Sequence, residues 1–278
     1  MIISGISEII QNYDYLLIDQ WGVIHDGNNL YEGVNECLEN IKANKKHSII
    51  ITNSSRNKRT NQNLMANLNC NISLFSDVFT SADMLTMHMQ NDEEFRKVYF
   101  VAEDEDLSVV ENIINRQVEN VEDSDAVVLL RVKPENEISV HDYWMKAAIN
   151  KNIPLIVPTR DKSTVRTNGI FKGLDKICHK YESNGGQVVN FGKPEKYIYE
   201  HCMYKFKINS PKTVLAIGDQ YFSDCVGAFT QGFDTLLVTT GAAFDNFNML
   251  DNSTNKLCET IKGRSLDIPT YICESFRW

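Results

Sequence analysis

"YLLIDQWGVIHDG", residues 15–27, decides the reading of this chain. Tyr15, Leu16, Leu17 and Ile18 run without alternation into Asp19, the pattern of a short strand covered on both faces. Gln20 follows, and then Trp21 and Gly22. In open parallel sheets, ligands bind outside the carboxyl ends of the strands, so a carboxylate at such an end is a candidate for chemistry. Taken alone, Asp19 reads equally well as a turn or capping residue.

Working outward, similar apolar runs recur at 48–51, 98–101, 126–130, 155–157, 214–217 and 236–238, most of them followed by a longer stretch with helical spacing. In "GVNECLENIKANKK", Val34, Cys37, Leu38 and Ile41 fall on one helical face, and the lysines suit the helix C-terminus. "RTNQNLMANL" and "PEKYIYEHCMYKF" behave alike, the second with Pro194 at an expected first helical position. This rhythm of βα units predicts an α/β fold, a Rossmann-like core with a mainly parallel sheet plus an inserted α/β cap domain. The expected boundaries are a discontinuous core over 1–80 and 188–278 and a cap over 81–187.

The bulk properties narrow the function. With 42% apolar and 23% charged residues, the 278-residue chain is an ordinary globular protein. A net charge of −9 argues against nucleic acid or an anionic membrane surface as a partner, because both need clustered cations. No stretch reaches the length of a membrane span, and the N-terminus lacks a signal-peptide pattern. Seven scattered cysteines without a CxxC pair fit the reducing cytoplasm. Six histidines show no HExxH or other zinc spacing, and no GxGxxG follows the first strand.

The strand ends then collect a set of groups. Asp19 ends the first strand, Thr52 ends "SIIIT" with Asn53 and Ser54 behind it, and "TVLAIGDQYFSD" ends at Gly218 and Asp219 with Asp224 five residues on. "NFGKPEK" places Lys193 before an expected helix start. Two strand-end carboxylates, a loop acid, a hydroxyl expected at a helix N-terminus and a lysine suit a hard dication beside a phosphate. Thr52 reads equally as a helix cap, and Asp224 as the cap of "CVGAFTQG". In the insert, Arg160, Lys162 and Arg166 read first as solvated surface and second as cations for a substrate.

The order "LLIDQWGV", "IIITNSS", "FGKP", "IGDQYFSD", with a long insert between the second and third, resembles the haloacid dehalogenase superfamily, most closely its subclass IIA phosphatases. The resemblance implies a Mg²⁺-dependent phosphatase that acts on a small phosphorylated metabolite (a sugar phosphate, nucleotide or aryl phosphate) through an aspartyl-phosphate. Carried over by position, Asp19 is the nucleophile and a metal ligand. Thr52 and Asn53 bind the phosphoryl group, Lys193 neutralises charge, and Asp219 and Asp224 complete the metal side with the Trp21 backbone carbonyl. A homodimer is compatible with this reading.

Trp21 departs from the pattern, since strongly active members usually carry there a second aspartate that protonates the leaving oxygen and activates water. Such acid and base help is worth about 10² to 10⁴ in rate. His25 and Asp26, just after the motif, are the expected surrogates, although both also read as a polar turn. The alternative is a weak or inactive phosphate-metabolite sensor or scaffold. A compact receiver-type phosphoacceptor has no place for the long insert.

Overall fold

The computed structural model describes residues 1–278 apart from 103, 131–137, 161–162, 167–168, 173 and 250–252, and gives only the backbone for 104–106, 138, 163–166 and 169–172. Lys162 and the side chain of Arg166 therefore lie outside the described residues.

In chain order the described strands are β1 (Tyr15–Ile18), β2 (His47–Thr52), β3 (Asp77–Thr80), β4 (Val98–Val101), β5 (Ala126–Leu129), β6 (Leu155–Val157), β7 (Ser163–Arg166), β8 (Gly169–Lys172), β9 (Val188–Asn190), β10 (Val214–Gly218), β11 (Asp234–Val238) and β12 (Tyr271–Cys273). The chain divides into two compact units. The first comprises Met1–Thr52, Arg59–Phe79 and Ile198–Trp278, and the second Asn53–Lys58 and Thr80–Tyr197. No described helix is long and apolar enough to cross a membrane.

The first unit carries a six-stranded sheet in the order β12-β11-β10-β1-β2-β3. β1 pairs in parallel with both β2 and β10, with Ile18 opposite Ile50 and Ile217. From β1 the chain steps outward one way to β2 and β3, and the later strands β10, β11 and β12 step the other way. The topological switch point therefore falls between β1 and β10. Leu16, Leu17 and Ile18 are fully buried, as a strand covered on both faces requires. The helix Val34–Ala43 buries Val34, Cys37, Leu38 and Ile41, the face its spacing predicts.

The second unit contains the parallel sheet β4-β5-β6-β9 and the antiparallel pair β7-β8. Its core gathers Val127, Leu155, Trp144 and Tyr181. β9 pairs with β6 through Val188 opposite Leu155, so 188–190 belong to this sheet. The expected return to the core at 188 is thus too early by this strand. Pro194 does not open a helix either. The Glu195 N–H bonds the Gly192 carbonyl at 3.0 Å, making a turn, and the helix begins at Tyr197.

Leu38→Ala is expected to lower the unfolding free energy by about 2–5 kcal/mol through cavity formation. Tyr204→Ala, at a residue 84% exposed, should change it by less than about 0.5 kcal/mol. Urea denaturation of both variants measures the contrast.

Candidate active site

Asp19 continues β1 by one residue, and its N–H bonds the Ile217 carbonyl at 2.8 Å. Because Ile18 lies opposite Ile217, this parallel register carries Asp19 alongside the end of β10, where Gly218 and Asp219 follow. The two acids therefore leave neighbouring strands at the switch point. Asp224 joins them by a tight turn: its N–H bonds the Gln220 carbonyl at 2.8 Å, and its Oδ2 accepts the Gln220 N–H at 3.0 Å. The carboxylate closes this turn.

Asp19, Asp219 and Asp224 are all buried, and each offers a carboxylate oxygen within 4.8 Å of the others. At an effective dielectric of about 20, two unit charges that close repel by about 3.5 kcal/mol, and three pairs are involved. Such a cluster is a poor structural device and a good seat for a hard cation, which takes oxygen ligands.

The surroundings fit that purpose. A Cβ added to Gly22 or Gly241 would run into the Asp219 carboxyl, and one added to Gly218 would run into Asp224. Backbone thus crowds the acids where no side chain could. The Ala242 N–H donates to Asp219 Oδ2 at 2.6 Å, and the Thr240 hydroxyl donates to the Gly22 carbonyl at 2.7 Å. The loop after β11 therefore holds both Asp219 and the turn after β1. Sequence reading missed Thr240, Gly241 and Ala242. The only available signal was a glycine among small residues directly after a buried strand.

Residues 20–31 fold into a compact turn. Ile24 N–H bonds Gln20 O at 2.9 Å, Gly22 N–H bonds His25 O at 2.9 Å, and Tyr31 N–H bonds Ile24 O at 3.0 Å. The Trp21 indole lies against the His25 ring, with centroids 4.7 Å apart and an interplanar angle of 71°. Gly27, at φ +98°, leaves room for that indole where a Cβ would collide with it. His25 is fully buried. Its Nδ1 accepts the Gly27 N–H at 3.0 Å, and its Nε2 lies 3.0 Å from the Gln20 side-chain amide nitrogen. Burial pushes its pKa down to about 4, against a smaller upward pull from Asp26. Asp26 Oδ1 accepts the N–H groups of Asn28 at 2.8 Å and Asn29 at 2.7 Å, which hold its carboxyl below the ordinary range. Both expected surrogates are thus tied into the turn.

Thr52 is buried at the end of β2. The next helix starts only at Lys58, whose N–H is accepted by Asp83 Oδ2 at 2.9 Å, so Thr52 does not cap it. Within the second unit, Asn53 clasps the backbone of Lys193. Its Oδ1 accepts the Lys193 N–H at 2.6 Å, and its Nδ2 donates to the Lys193 carbonyl at 3.1 Å. This side-chain role was not expected from sequence. Lys193 itself is buried. Arg160 forms a two-pronged pair with Glu182 at 2.7 and 2.9 Å, which answers its charge inside the second unit.

The first unit is therefore a Rossmann-like α/β domain with three buried carboxylates gathered at its switch point, a set that could hold a metal ion. Family comparison gives the class a name. The haloacid dehalogenase-like hydrolase model matches residues 16–113, and the HAD-hydrolase-like model matches 190–256. The chain belongs to the haloacid dehalogenase superfamily. It is 25% identical over 236 residues to the 5'-nucleotidase YutF of Bacillus subtilis, covering 84% of this chain and 89% of that one. A haloacid dehalogenase-like hydrolase of Brucella suis shares the fold with TM-score 0.82 at 18% identity, over 99% of this chain and all of its own. Glycerol phosphate phosphatase Rv1692 of Mycobacterium tuberculosis, solved in complex with magnesium, gives TM-score 0.68 at 21% identity, over 84% of this chain and 70% of its own.

Gly241→Ala should weaken Mn²⁺ binding by at least about tenfold by displacing Asp219, whereas Gly263→Ala, with nothing within 4 Å of its Cβ, should leave it unchanged; electron paramagnetic titration of free Mn²⁺ reads both. His25 gives a second expectation. Its folded pKa of about 4 lies below the ordinary value of 6.5, so the unfolded chain binds the extra proton and stability falls as pH drops from about 6.5 towards 4. Between pH 7 and pH 5 this residue should contribute a loss of about 2 kcal/mol, absent in His25→Gln, as measured by urea midpoints.

Proposed function

We propose that the protein is a Mg²⁺-dependent phosphatase of subclass IIA type that hydrolyses a small phosphorylated metabolite. The observation that carries the reading is the buried convergence of Asp19, Asp219 and Asp224 at the sheet's switch point. The phosphatases and nucleotidase among its relatives support the reaction class. Asp19 would be the nucleophile, attacking phosphorus to form an aspartyl-phosphate that water then hydrolyses. Asp19, Asp219, Asp224 and the Trp21 carbonyl would hold the cation, which supplies charge neutralisation for the phosphoryl oxygens.

Thr52 and Asn53 would bind phosphoryl oxygens, and Lys193 would supply the countercharge. Asn53 fixes the Lys193 backbone, which supports a common role for the pair. Seven free cysteines support work in a reducing compartment, the cytoplasm being the expected one. Trp21 favours a second reading, a phosphate-metabolite sensor with little turnover.

On a panel of phosphate esters with Mg²⁺, the wild-type protein should release phosphate and Asp19→Asn should lose at least about 10³ in rate. Calorimetric binding of a phosphorylated metabolite with no phosphate release above Asp19→Asn would favour the sensor.

A further inference from the structure

The Asp219 carboxyl sits between two backbone walls that come from distant parts of the first unit. One wall is Gly22, whose N–H bonds the His25 carbonyl at 2.9 Å. The other is Gly241, in the loop after β11. A Cβ on either glycine would strike Oδ2 of Asp219 first, and the same oxygen accepts the Ala242 N–H at 2.6 Å. The second wall is itself anchored. The Thr239 N–H is shared by the carbonyls of Cys273 and Glu274, both at 3.1 Å, and the Asn246 N–H and side-chain amide bond the Ala242 carbonyl at 3.0 and 2.9 Å. Ala243 and Phe244 are buried in one cluster with Leu257 and Ile272. The Thr240 hydroxyl donates to the Gly22 carbonyl at 2.7 Å and so ties wall to wall. Asp224 is held in a similar manner, with Oδ2 engaged by the Gln220 N–H at 3.0 Å.

We infer that Thr240 is a positioning residue for the cation: its hydroxyl keeps the two walls closed on Asp219, so that this acid presents a single oxygen and the seat discriminates against a large ion. The inference rests on the reading above that these acids hold Mg²⁺. A carboxylate that keeps one oxygen on a backbone N–H, and is held against rotation by backbone on both sides, suits ligation through one oxygen. Mg²⁺ demands a tight, near-octahedral shell of that kind. Ca²⁺ takes a larger and looser shell, often with two oxygens from one carboxylate, and gains when the carboxylate can turn. Opening the walls therefore costs the small ion more than the large one. Thr240 acts on the cation through Gly22 and Asp219, and the loss expected for one such hydrogen bond is about fivefold in affinity.

The test titrates the full chain with Mn²⁺ by electron paramagnetic resonance and then displaces the bound Mn²⁺ with Mg²⁺ or Ca²⁺. Thr240→Val keeps the shape of the side chain and removes the hydroxyl. It should weaken Mg²⁺ by about fivefold and lower the ratio of Mg²⁺ to Ca²⁺ affinity by at least about threefold. Thr240→Ser keeps the hydroxyl and should restore the wild-type ratio. Thr260→Val removes a hydroxyl that donates to the Lys256 carbonyl at 2.8 Å within the helix Thr254–Gly263, and should change neither quantity. A ratio that falls by less than expected in Thr240→Val, or falls as far in Thr240→Ser, would overturn this inference while leaving the phosphatase reading intact. Wild-type protein that binds neither Mn²⁺ nor Mg²⁺ would overturn both. If Thr240→Val does not fold, hydrogen exchange on the wild-type protein decides. Mg²⁺ should slow exchange in 20–26 and 239–246 together, and slowing in one segment alone, or in neither, would overturn the inference.

Discussion

Three carboxylates that repel one another are held together at the carboxyl edge of the first sheet, and that constraint organises its neighbourhood. Parallel pairing in register brings Asp19 alongside the end of β10. Glycines at 22, 218 and 241 let backbone close on the acids where a side chain would collide. The Ala242 and Gln220 N–H groups offset part of the desolvation of Asp219 and Asp224. A buried cluster of this sign makes physical sense with a cation in it, and poor sense without one.

The same crowding explains the turn after β1. Thr240 pins the Gly22 carbonyl, so the chain leaving Asp19 has one direction open to it. Trp21 and His25 then pack face to edge, Gly27 makes room for the indole, and Asp26 closes the next turn. The indole at position 21 is part of the packing of this turn.

Much of this was legible in the sequence, for identifiable reasons. β1, β2, β10 and β11 are near-continuous runs of Ile, Leu and Val because both faces are covered, and Asp19, Thr52 and Asp219 mark the ends or exits of their strands. β3, β7, β8, β9 and β12 escaped notice: β3 opens on an aspartate, β7 and β8 mix polar and charged residues with apolar ones, and β9 follows Gly-Gly and a glutamine. Pro194 suggested a helix start by local preference, but the Gly192–Glu195 turn fixes it three residues outside. The clasp of Asn53 on Lys193 and the Ala242 N–H on Asp219 were invisible because they join residues far apart in the chain, one through backbone atoms common to every residue.

Whether residues 19, 219 and 224 surround one divalent cation is tested directly by anomalous diffraction from crystals grown with Mn²⁺. A single strong peak is expected, with carboxylate oxygens of Asp19 and Asp219 about 2.0–2.3 Å away and Asp224 beside it. A peak bound elsewhere, or carboxylates that stay clustered at saturating Mn²⁺ with no peak between them, would contradict the cation-centred site.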